Sequence, residues 1–323
     1  MTRSEFRKDI VSGDWILVAG GLKKKPNFFA KAPKKIKISK KGCPFENVKE
    51  GHKLILSSEF AKVVLNKFPI LTPRKVCPIP LSEAPYEKMA GVGFQELVIT
   101  PDHSRSLGDM MKEEILSVLE AYLSRYQALK KEKCIEYILI FHNHGPSAGA
   151  TVPHPHSQIL ALPIIPLDVE RSLSGSASYF KKYSRCVHGA ILKKELRNKK
   201  RIIYKNKDFI AIAPYASHVS FETRLYPLKH GSNFEEMSQA EKENFADMMR
   251  AVFAKLKNGM NNPDYNFFIH TAPVKADHVK HYHWHLEILP RTNIWGGVEL
   301  GTGTEVIKMP PEESAKILRE ART

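Results

Sequence analysis

The chain has 323 residues, enough for two domains of ordinary size with separate cores. Charged residues make up 26% and hydrophobic residues 42%, which is typical of a globular protein and excludes a disordered one. Neither a membrane-spanning run nor the apolar core of a signal peptide is evident, so we expect a cytoplasmic protein with no membrane partner. Its cysteines are widely spaced, and we expect no disulfide framework among Cys43, Cys77, Cys134 and Cys186.

The formal net charge is +16, and much of it lies in the segments 23–41 and 193–201. A basic surface can bind nucleic acid or attract phosphorylated small molecules. Neither segment interleaves aromatic residues with cations as a base-stacking surface does. We therefore interpret most of this charge as a solvated surface and do not expect nucleic acid as the partner.

In the first half of the chain, hydrophobic periodicity predicts four elements in order. Strands are expected at 61–66 and from 96 to the proline at 101, followed by a helix over 115–129 and a strand at 137–141.

The second half repeats this order. We predict strands at 209–213, 222–227 and 265–269, with a helix after the second of them. Ser238 and Glu241 supply a capping box at the start of that helix, which continues to residue 256. A short helix is expected to begin at the prolines 310–311.

Each half then continues into a histidine-rich strand. The first reads His154-Pro155-His156-Ser157-Gln158 and runs through an apolar tail to Pro163, and the second, from His281 to Pro290, matches it in length and pattern. Alternate residues of a strand point to one face, so we expect His154, His156 and Gln158 to share one site.

The repeated order of elements indicates a tandem duplication. Short connections and one long helix per unit favour an α+β fold in which helices pack on antiparallel sheets. We place the join near residues 164–200. The predicted units are residues 1–165, which carry the nucleophile, and residues 166–323, a degenerate copy.

These segments resemble the histidine-triad superfamily and, within it, the galactose-1-phosphate uridylyltransferase family, as a divergent bacterial-type member. The resemblance covers essentially the whole chain. Besides the histidine segments, it is carried by residues 13–18 (GDWILV), 43–45 (CPF), 66–69 (NKFP), 100–104 (TPDHS), 141–145 (FHNHG) and Gly149. It implies tandem triad units, a role in galactose and carbohydrate metabolism, and a homodimer with sites completed across the interface.

The resemblance assigns the catalytic roles to His156 and Gln158. The His156 imidazole would attack the α-phosphorus of a nucleoside diphosphate sugar and form a nucleotidyl-histidine. Gln158 stands where hydrolytic relatives have a third histidine, and an amide donates hydrogen bonds but does not protonate a leaving group at neutral pH. A sugar phosphate needs little protonation to leave, so the glutamine favours transfer over hydrolysis.

The resemblance also implies substrate-binding residues. The loop around the α- and β-phosphates is matched by Asn143, Gly145, Gly149 and Thr151. Asn66 and Lys67 match the nucleoside-contacting pair, although the family commonly has an acidic residue at the second position. Glu299, in a glycine-rich C-terminal segment, is a candidate for bonding sugar hydroxyls.

The family's structural zinc site is matched by Cys43, Glu46, His103 and His154. Thiolate, carboxylate and imidazole are all zinc ligands, so we predict a zinc ion there. Glu46 replaces the family's second cysteine, with His52 as a possible local substitute. The alternative is a metal-free site whose histidines are held by hydrogen bonds.

A second metal is not expected. His270, His283 and His285 match positions that bind one in some relatives, but the completing carboxylate has no clear match, since Glu170 is offset and Ser172 stands nearer its place. We interpret this set as a degenerate, structural copy.

Three functions are consistent with these residues. The first is transfer of a nucleoside monophosphate, foremost UMP, between sugar 1-phosphates. The second is a nucleoside diphosphate sugar phosphorylase, in which phosphate accepts an adenylyl or uridylyl group from the same histidine. The third is a non-catalytic protein that binds nucleotide or nucleic acid through its basic surface.

Overall fold

The structure is a computed structural model that describes residues 4–20, 39–48, 53–276 and 278–323. His52 and the basic residues 23–25 lie outside the described residues. The helices are α1 (Lys112–Leu129), α2 (Leu167–Tyr183), α3 (Val187–Asn198), α4 (Gln239–Gly259), α5 (Gly297–Thr302) and α6 (Pro311–Glu320). In this part of the chain, no helix combines the length and apolar character needed to cross a membrane.

Ten strands form one antiparallel sheet. In spatial order they are β10 (Ile202–Lys205), β11 (Phe209–Ile212), β12 (Thr223–Pro227), β14 (His285–Pro290), β13 (Tyr265–His270), β8 (Tyr137–His144), β9 (His156–Leu162), β7 (Phe94–Ile99), β4 (Lys62–Leu65) and β3 (Leu54–Ser57). A smaller sheet contains β1 (Glu5–Lys8), β2 (Trp15–Val18) and β15 (Val306–Ile307), and a hairpin contains β5 (Leu81–Glu83) and β6 (Tyr86–Lys88).

The ten-stranded sheet has a seam at its centre, where β8 of the first half pairs with β13 of the second. Ile140 lies opposite Ile269 there. Outward from the seam, each half supplies the same series: the seam strand, the histidine strand and then three more strands. The α+β fold and the duplication are therefore confirmed, and the two copies are built into one continuous sheet.

Strand register relates the copies residue by residue. Leu97 pairs with Gln158 between β7 and β9, and Arg224 pairs with Glu287 between β12 and β14. Leu97 thus corresponds to Arg224, and Gln158 corresponds to Glu287.

The two faces of this sheet differ in what covers them. The long helices α1 and α4 pack on one face, where their apolar stripes join Ile159, Leu225 and Ile269 in the main core. The capping box of Ser238 and Glu241 begins α4 as predicted. Because strand side chains alternate, His156 and Gln158 lie on the opposite face from Ile159.

Both histidine strands begin later than expected, since the second starts at His285 rather than His281. β9 starts at His156, because its pairing with β7 starts at Ile99. Pro155 has no N–H for a ladder, and its carbonyl instead accepts hydrogen bonds from the backbone and side chain of Thr100. The expectation that His154 shares a strand face with His156 and Gln158 is therefore wrong.

The join holds two helices that periodicity did not identify, α2 and α3. Leu192 of α3 packs on Ile210, Ile212 and Tyr226. In the second half, α3 therefore covers the sheet face that is equivalent to the one carrying His156 in the first half. The division at residues 165/166 stays a prediction.

One disulfide corrects the expectation for the cysteines. Cys77 is bonded to Cys134, 57 residues away, and Cys43 and Cys186 are free thiols. The spacing of the cysteines in the sequence did not predict this bond, because only the fold brings the loop after β4 close to the residues that follow α1.

The seam should be central to stability. Ile269 is 1% exposed, and replacing it with alanine removes buried methylenes and leaves a cavity. We expect Ile269→Ala to lower the free energy of unfolding by about 2–5 kcal/mol in a denaturant titration. Ile294, which is 98% exposed, is the matched control, and Ile294→Ala should change it by less than about 0.5 kcal/mol. Equal effects would contradict the central role of the seam.

Candidate active site

His156, the first residue of β9, is held in a single tautomer. Its Nδ1 lies 2.9 Å from the carbonyl oxygen of His154, and because that oxygen only accepts, the proton is on Nδ1. Nε2 therefore carries the lone pair. Burial lowers the pKa of His156 below its ordinary value, which keeps the ring neutral at pH 7. The Phe45 ring packs against it with centroids 5.0 Å apart, so the position of the imidazole is fixed from two sides.

Gln158 lies two residues further along the same face of β9. Its Oε1 accepts a hydrogen bond of 2.7 Å from the side-chain amide of Gln95 on β7. Sequence reasoning missed Gln95, because its partner is 63 residues away and only the strand register brings the two together.

The candidate phosphate loop follows β8 and turns through two glycines. Gly145 and Gly149 have φ values of +81° and +82°, in the left-handed region that favours glycine. Asn143, the third residue matched to this loop, lies near the end of β8, and Thr151 is exposed beyond the turn.

Residues of the second half brace this loop across the seam. Asn266 of β13 donates hydrogen bonds of 2.8 Å to Asn143 Oδ1 and to the carbonyl of Ala148. The Asp264 carboxylate accepts from the backbone N–H of Ser147 at 2.8 Å. The site therefore needs both halves, and sequence reasoning missed Asp264 and Asn266 because they belong to the other repeat.

The candidate nucleoside segment follows β4 and docks on β7. The backbone N–H of Asn66 donates to the carbonyl of Gln95 at 3.0 Å, and Asn66 Oδ1 accepts from the N–H of Phe68 at 3.0 Å. Lys67 Nζ lies 5.8 Å from the centre of the Phe68 ring. Asn66 is thus adjacent to the pair formed by Gln95 and Gln158.

Glu299 lies apart from these residues. It is in the first turn of α5, where its carboxylate accepts from the N–H of Gly296 at 2.9 Å. Among the described residues, no hydrogen bond connects it with His156 or Gln158.

The predicted zinc ligands converge. One ligand atom from each of Cys43, Glu46, His103 and His154 lies within 4.8 Å of all the others. His103 Nδ1 is 2.8 Å from Glu46 Oε1 and 3.2 Å from His154 Nδ1, and Cys43 Sγ is 3.7 Å from His154 Nδ1.

The tautomer of His154 tests whether these residues fit a metal. Its Nε2 lies 2.6 Å from the carbonyl of Thr100, which places the proton on Nε2 and leaves the Nδ1 lone pair facing the cluster. A thiol, a carboxylate and two imidazole nitrogens directed at one point are the ligand types of a four-coordinate zinc site. The residues fit the ion.

The three histidines matched to a second metal site in some relatives do not form one group. The structure separates His283, which groups with Cys186 and His230, from His270 and His285, which group with Glu287. His283 Nε2 bonds the carbonyl of Pro227 at 3.0 Å, as His154 bonds Thr100. Cys186, His230 and His283 therefore repeat the arrangement of Cys43, His103 and His154. Glu170 and Ser172 lie on α2.

The second copy of His156 is enclosed. His285 Nδ1 bonds the carbonyl of His283 at 3.1 Å, the same tautomer as His156, but Tyr226 stacks on its ring at 4.9 Å. Glu287 replaces the glutamine amide with a carboxylate that pairs with Arg224 at 2.9 Å. Burial raises the pKa of Glu287, against a lowering by Arg224. A buried carboxylate paired with an arginine does not offer the N–H donors that the Gln158 amide offers.

Family models match both halves of the chain. Residues 61–166 match the N-terminal domain of galactose-1-phosphate uridyl transferase, and residues 195–294 match the HIT domain. Together with the paired histidine strands, these matches define a histidine-triad protein.

Full-length relatives are also found. An ADP-glucose phosphorylase of Arabidopsis thaliana is 30% identical over 98% of this chain and 92% of its own. A galactose-1-phosphate uridylyltransferase of Thermotoga maritima is 29% identical over 98% of each chain. The chain belongs to the galactose-1-phosphate uridylyltransferase family and is an enzyme of the nucleotidyltransferase class.

Two solved structures are similar over nearly the whole chain. The crystal structure of an ADP-glucose phosphorylase from Arabidopsis thaliana with bound ADP-glucose has a TM-score of 0.84 and 28% identity, and the match covers 99% of this chain and 100% of that one. A uridylyltransferase structure has a TM-score of 0.76 and 27% identity, with 98% and 97% covered.

The phosphate loop should depend on Gly145. A Cβ there would overlap the Asp264 carboxylate, and its φ is unfavourable for other residues. We expect Gly145→Ala to lower the free energy of unfolding by about 1–3 kcal/mol, measured by chemical denaturation. Gly297, where a Cβ meets open space, provides the control, and Gly297→Ala should not lower it. The bracing by Asp264 is refuted if both variants are as stable as the parent.

Proposed function

We propose that the enzyme moves a nucleoside monophosphate, foremost UMP, from a nucleoside diphosphate sugar to a second sugar 1-phosphate through His156. The observation that carries this proposal is the hydrogen bond from His156 Nδ1 to the His154 carbonyl, which leaves the Nε2 lone pair free beside Gln158. Nε2 attacks the α-phosphorus, a P–N bond forms, and the bond to the leaving sugar 1-phosphate breaks. An oxygen of the second sugar 1-phosphate then attacks the same phosphorus and releases His156.

Gln158 favours transfer to a phosphate over hydrolysis. Its amide donates to a phosphoryl oxygen in both steps but supplies no proton to the leaving group. A sugar phosphate leaves as an anion without that proton. Transfer between phosphates therefore proceeds, and hydrolysis is disfavoured.

Phosphorolysis of an ADP-sugar is the second candidate. It is supported by the similarity to ADP-glucose phosphorylase, in sequence at 30% identity and in structure at a TM-score of 0.84. The first half-reaction is the same, and inorganic phosphate takes the place of the second sugar phosphate. Lys67, at a position where uridylyltransferases commonly have an acidic residue, is consistent with a different nucleoside.

We also propose that zinc occupies the Cys43–Glu46–His103–His154 group in a structural role. His154 would be held by its side chain in the metal site while its carbonyl holds His156. Bound there, zinc supplies rigidity to the peptide that orients the nucleophile. A homodimer, sugar binding by Glu299 and a cytoplasmic location complete the proposal.

Radiolabelled nucleotide sugars test the covalent step. With [α-³²P]UDP-glucose or [α-³²P]ADP-glucose, we expect the protein to become labelled and His156→Ala to lose the label. His285→Ala is the matched control, because His285 has the same tautomer but is enclosed, and it should label like the parent. Labelling that survives in His156→Ala would exclude this mechanism.

The acceptor distinguishes the two candidate reactions. Chase of the labelled protein with galactose 1-phosphate should release UDP-galactose if it is a uridylyltransferase, whereas chase with phosphate should release ADP if it is a phosphorylase. Absence of labelling by any nucleotide sugar, with strongly salt-dependent binding to DNA or RNA, would favour the non-catalytic alternative.

Metal content tests the zinc site. His103→Ala should contain one zinc equivalent less than the parent by atomic absorption, whatever the second cluster holds. Glu46→Gln should weaken zinc binding, since a neutral amide is a poorer ligand than a carboxylate. Glu59→Gln, which changes an exposed carboxylate, is the control. Zinc binding unaffected by Glu46→Gln would remove Glu46 from the ligand set.

A further inference from the structure

Two glutamine amides meet beside the proposed nucleophile. Gln95 Nε2 is 2.7 Å from Gln158 Oε1, and Gln95 is 7% exposed. On its other side, Gln95 Oε1 is 2.9 Å from the backbone nitrogen of Ile70. The two amides and the Ile70 N–H form a chain of hydrogen bonds that ends at Gln158.

The Ile70 N–H fixes the orientation of both amides in this series of hydrogen bonds. An amide can be turned by 180° without changing its shape, so its hydrogen-bond partners decide which end is oxygen. The Ile70 N–H can only donate, and it therefore requires the oxygen of Gln95. The NH₂ of Gln95 must then donate to Gln158, and Gln158 must accept that hydrogen bond with its oxygen. The Gln158 NH₂ is left directed away from Gln95, and it makes no hydrogen bond within the described residues.

We propose that Gln95 is a positioning residue that orients the Gln158 carboxamide so that its NH₂ donates to the phosphoryl group transferred by His156. This inference rests on the proposed function. An amide turned the other way would direct its oxygen at the phosphate, where two acceptors repel. The hydrogen bond from Gln95 disfavours this reversed orientation of the Gln158 amide before the substrate binds.

Gln95 also ties this orientation to the nucleoside segment. Its carbonyl accepts from the N–H of Asn66 and its side chain accepts from the N–H of Ile70, so one residue holds both ends of segment 66–70. Displacement of that segment would remove the donor that fixes the amides. A correctly placed nucleoside loop and a correctly turned Gln158 are therefore parts of one arrangement.

The second half changes both members of the pair together. By register, Gln95 corresponds to Glu222 and Gln158 to Glu287. Arg224 bonds both carboxylates, at 2.8 Å and 2.9 Å. The donating pair of amides belongs to the half with the proposed nucleophile, and the other half has two acceptors joined by a cation.

A double-mutant cycle tests the proposal. The rate of nucleotidyl-histidine formation is measured in single turnovers at saturating nucleotide sugar for Gln95→Leu, Gln158→Met and the double variant. We expect Gln95→Leu alone to slow the step roughly tenfold, and to slow it less than about twofold when Gln158 is already methionine. Equal slowing in both backgrounds would show that Gln95 acts independently of Gln158 and overturn the proposal.

A second variant separates positioning from a purely structural role. Gln95→Glu keeps an acceptor for Ile70 but can only accept from Gln158, which turns the Gln158 NH₂ away from the phosphate. We expect it to be slower than Gln95→Leu at saturation. If Gln95 only anchored the loop, glutamate would be the faster of the two, and that order would contradict us. Gln239→Leu, an exposed change on α4, is the control and should react like the parent.

A ligand-free measurement keeps this inference distinct from the proposed function. The side-chain amide signals of Gln158, identified by their loss in Gln158→Met, should shift in ¹H–¹⁵N spectra of Gln95→Leu. Unchanged signals overturn the orientation even if the enzyme transfers nucleotide. Shifted signals in a protein that no nucleotide sugar labels would support the hydrogen-bonded pair and refute the transfer chemistry alone.

Discussion

The antiparallel pairing of β8 with β13 is the interaction on which the rest of the structure depends. Without it each half would expose an unpaired strand next to its histidine strand. With it, Asn266 from one repeat reaches Asn143 in the other, and Asp264 holds the turn at Ser147. The candidate site is therefore a product of the duplication, although its proposed reactive residues all belong to the first copy.

Hydrogen bonds to backbone carbonyls fix the tautomers of the two histidines at the site. His154 bonds Thr100 through Nε2 and directs Nδ1 at Cys43, Glu46 and His103, while its own carbonyl accepts a hydrogen bond from Nδ1 of His156. One residue thus connects the candidate zinc ligands with the proposed nucleophile. The second copy has the same hydrogen bonds at His283 and His285, but different residues surround the two rings.

Sequence periodicity was sufficient for the parts that depend on local pattern. β4, β7, β8, β9, β11 to β14, α1, α4 and the duplication follow from apolar spacing, and α6 follows from the prolines at its start. Cys43, Glu46, His103 and His154 follow from family motifs. The contacts of Gln95, Asp264 and Asn266, the disulfide, and the grouping of His283 with Cys186 depend on register between distant strands, which no local pattern encodes. His154 lies before the strand rather than on its face, because Pro155 has no N–H for the ladder and β9 starts at His156.

The charged trio in the second half makes the difference between the copies hard to reverse. Arg224, Glu222 and Glu287 are buried, and both carboxylates pair with the one cation, so replacing Arg224 by the leucine of the first copy would leave two carboxylates in the interior without it. Breaking such a pair costs about 3–5 kcal/mol. A path back to two equivalent halves that began at Arg224 would therefore pass through a destabilised intermediate. The order in which these positions can change is thus constrained, because the carboxylates would have to be replaced before the cation.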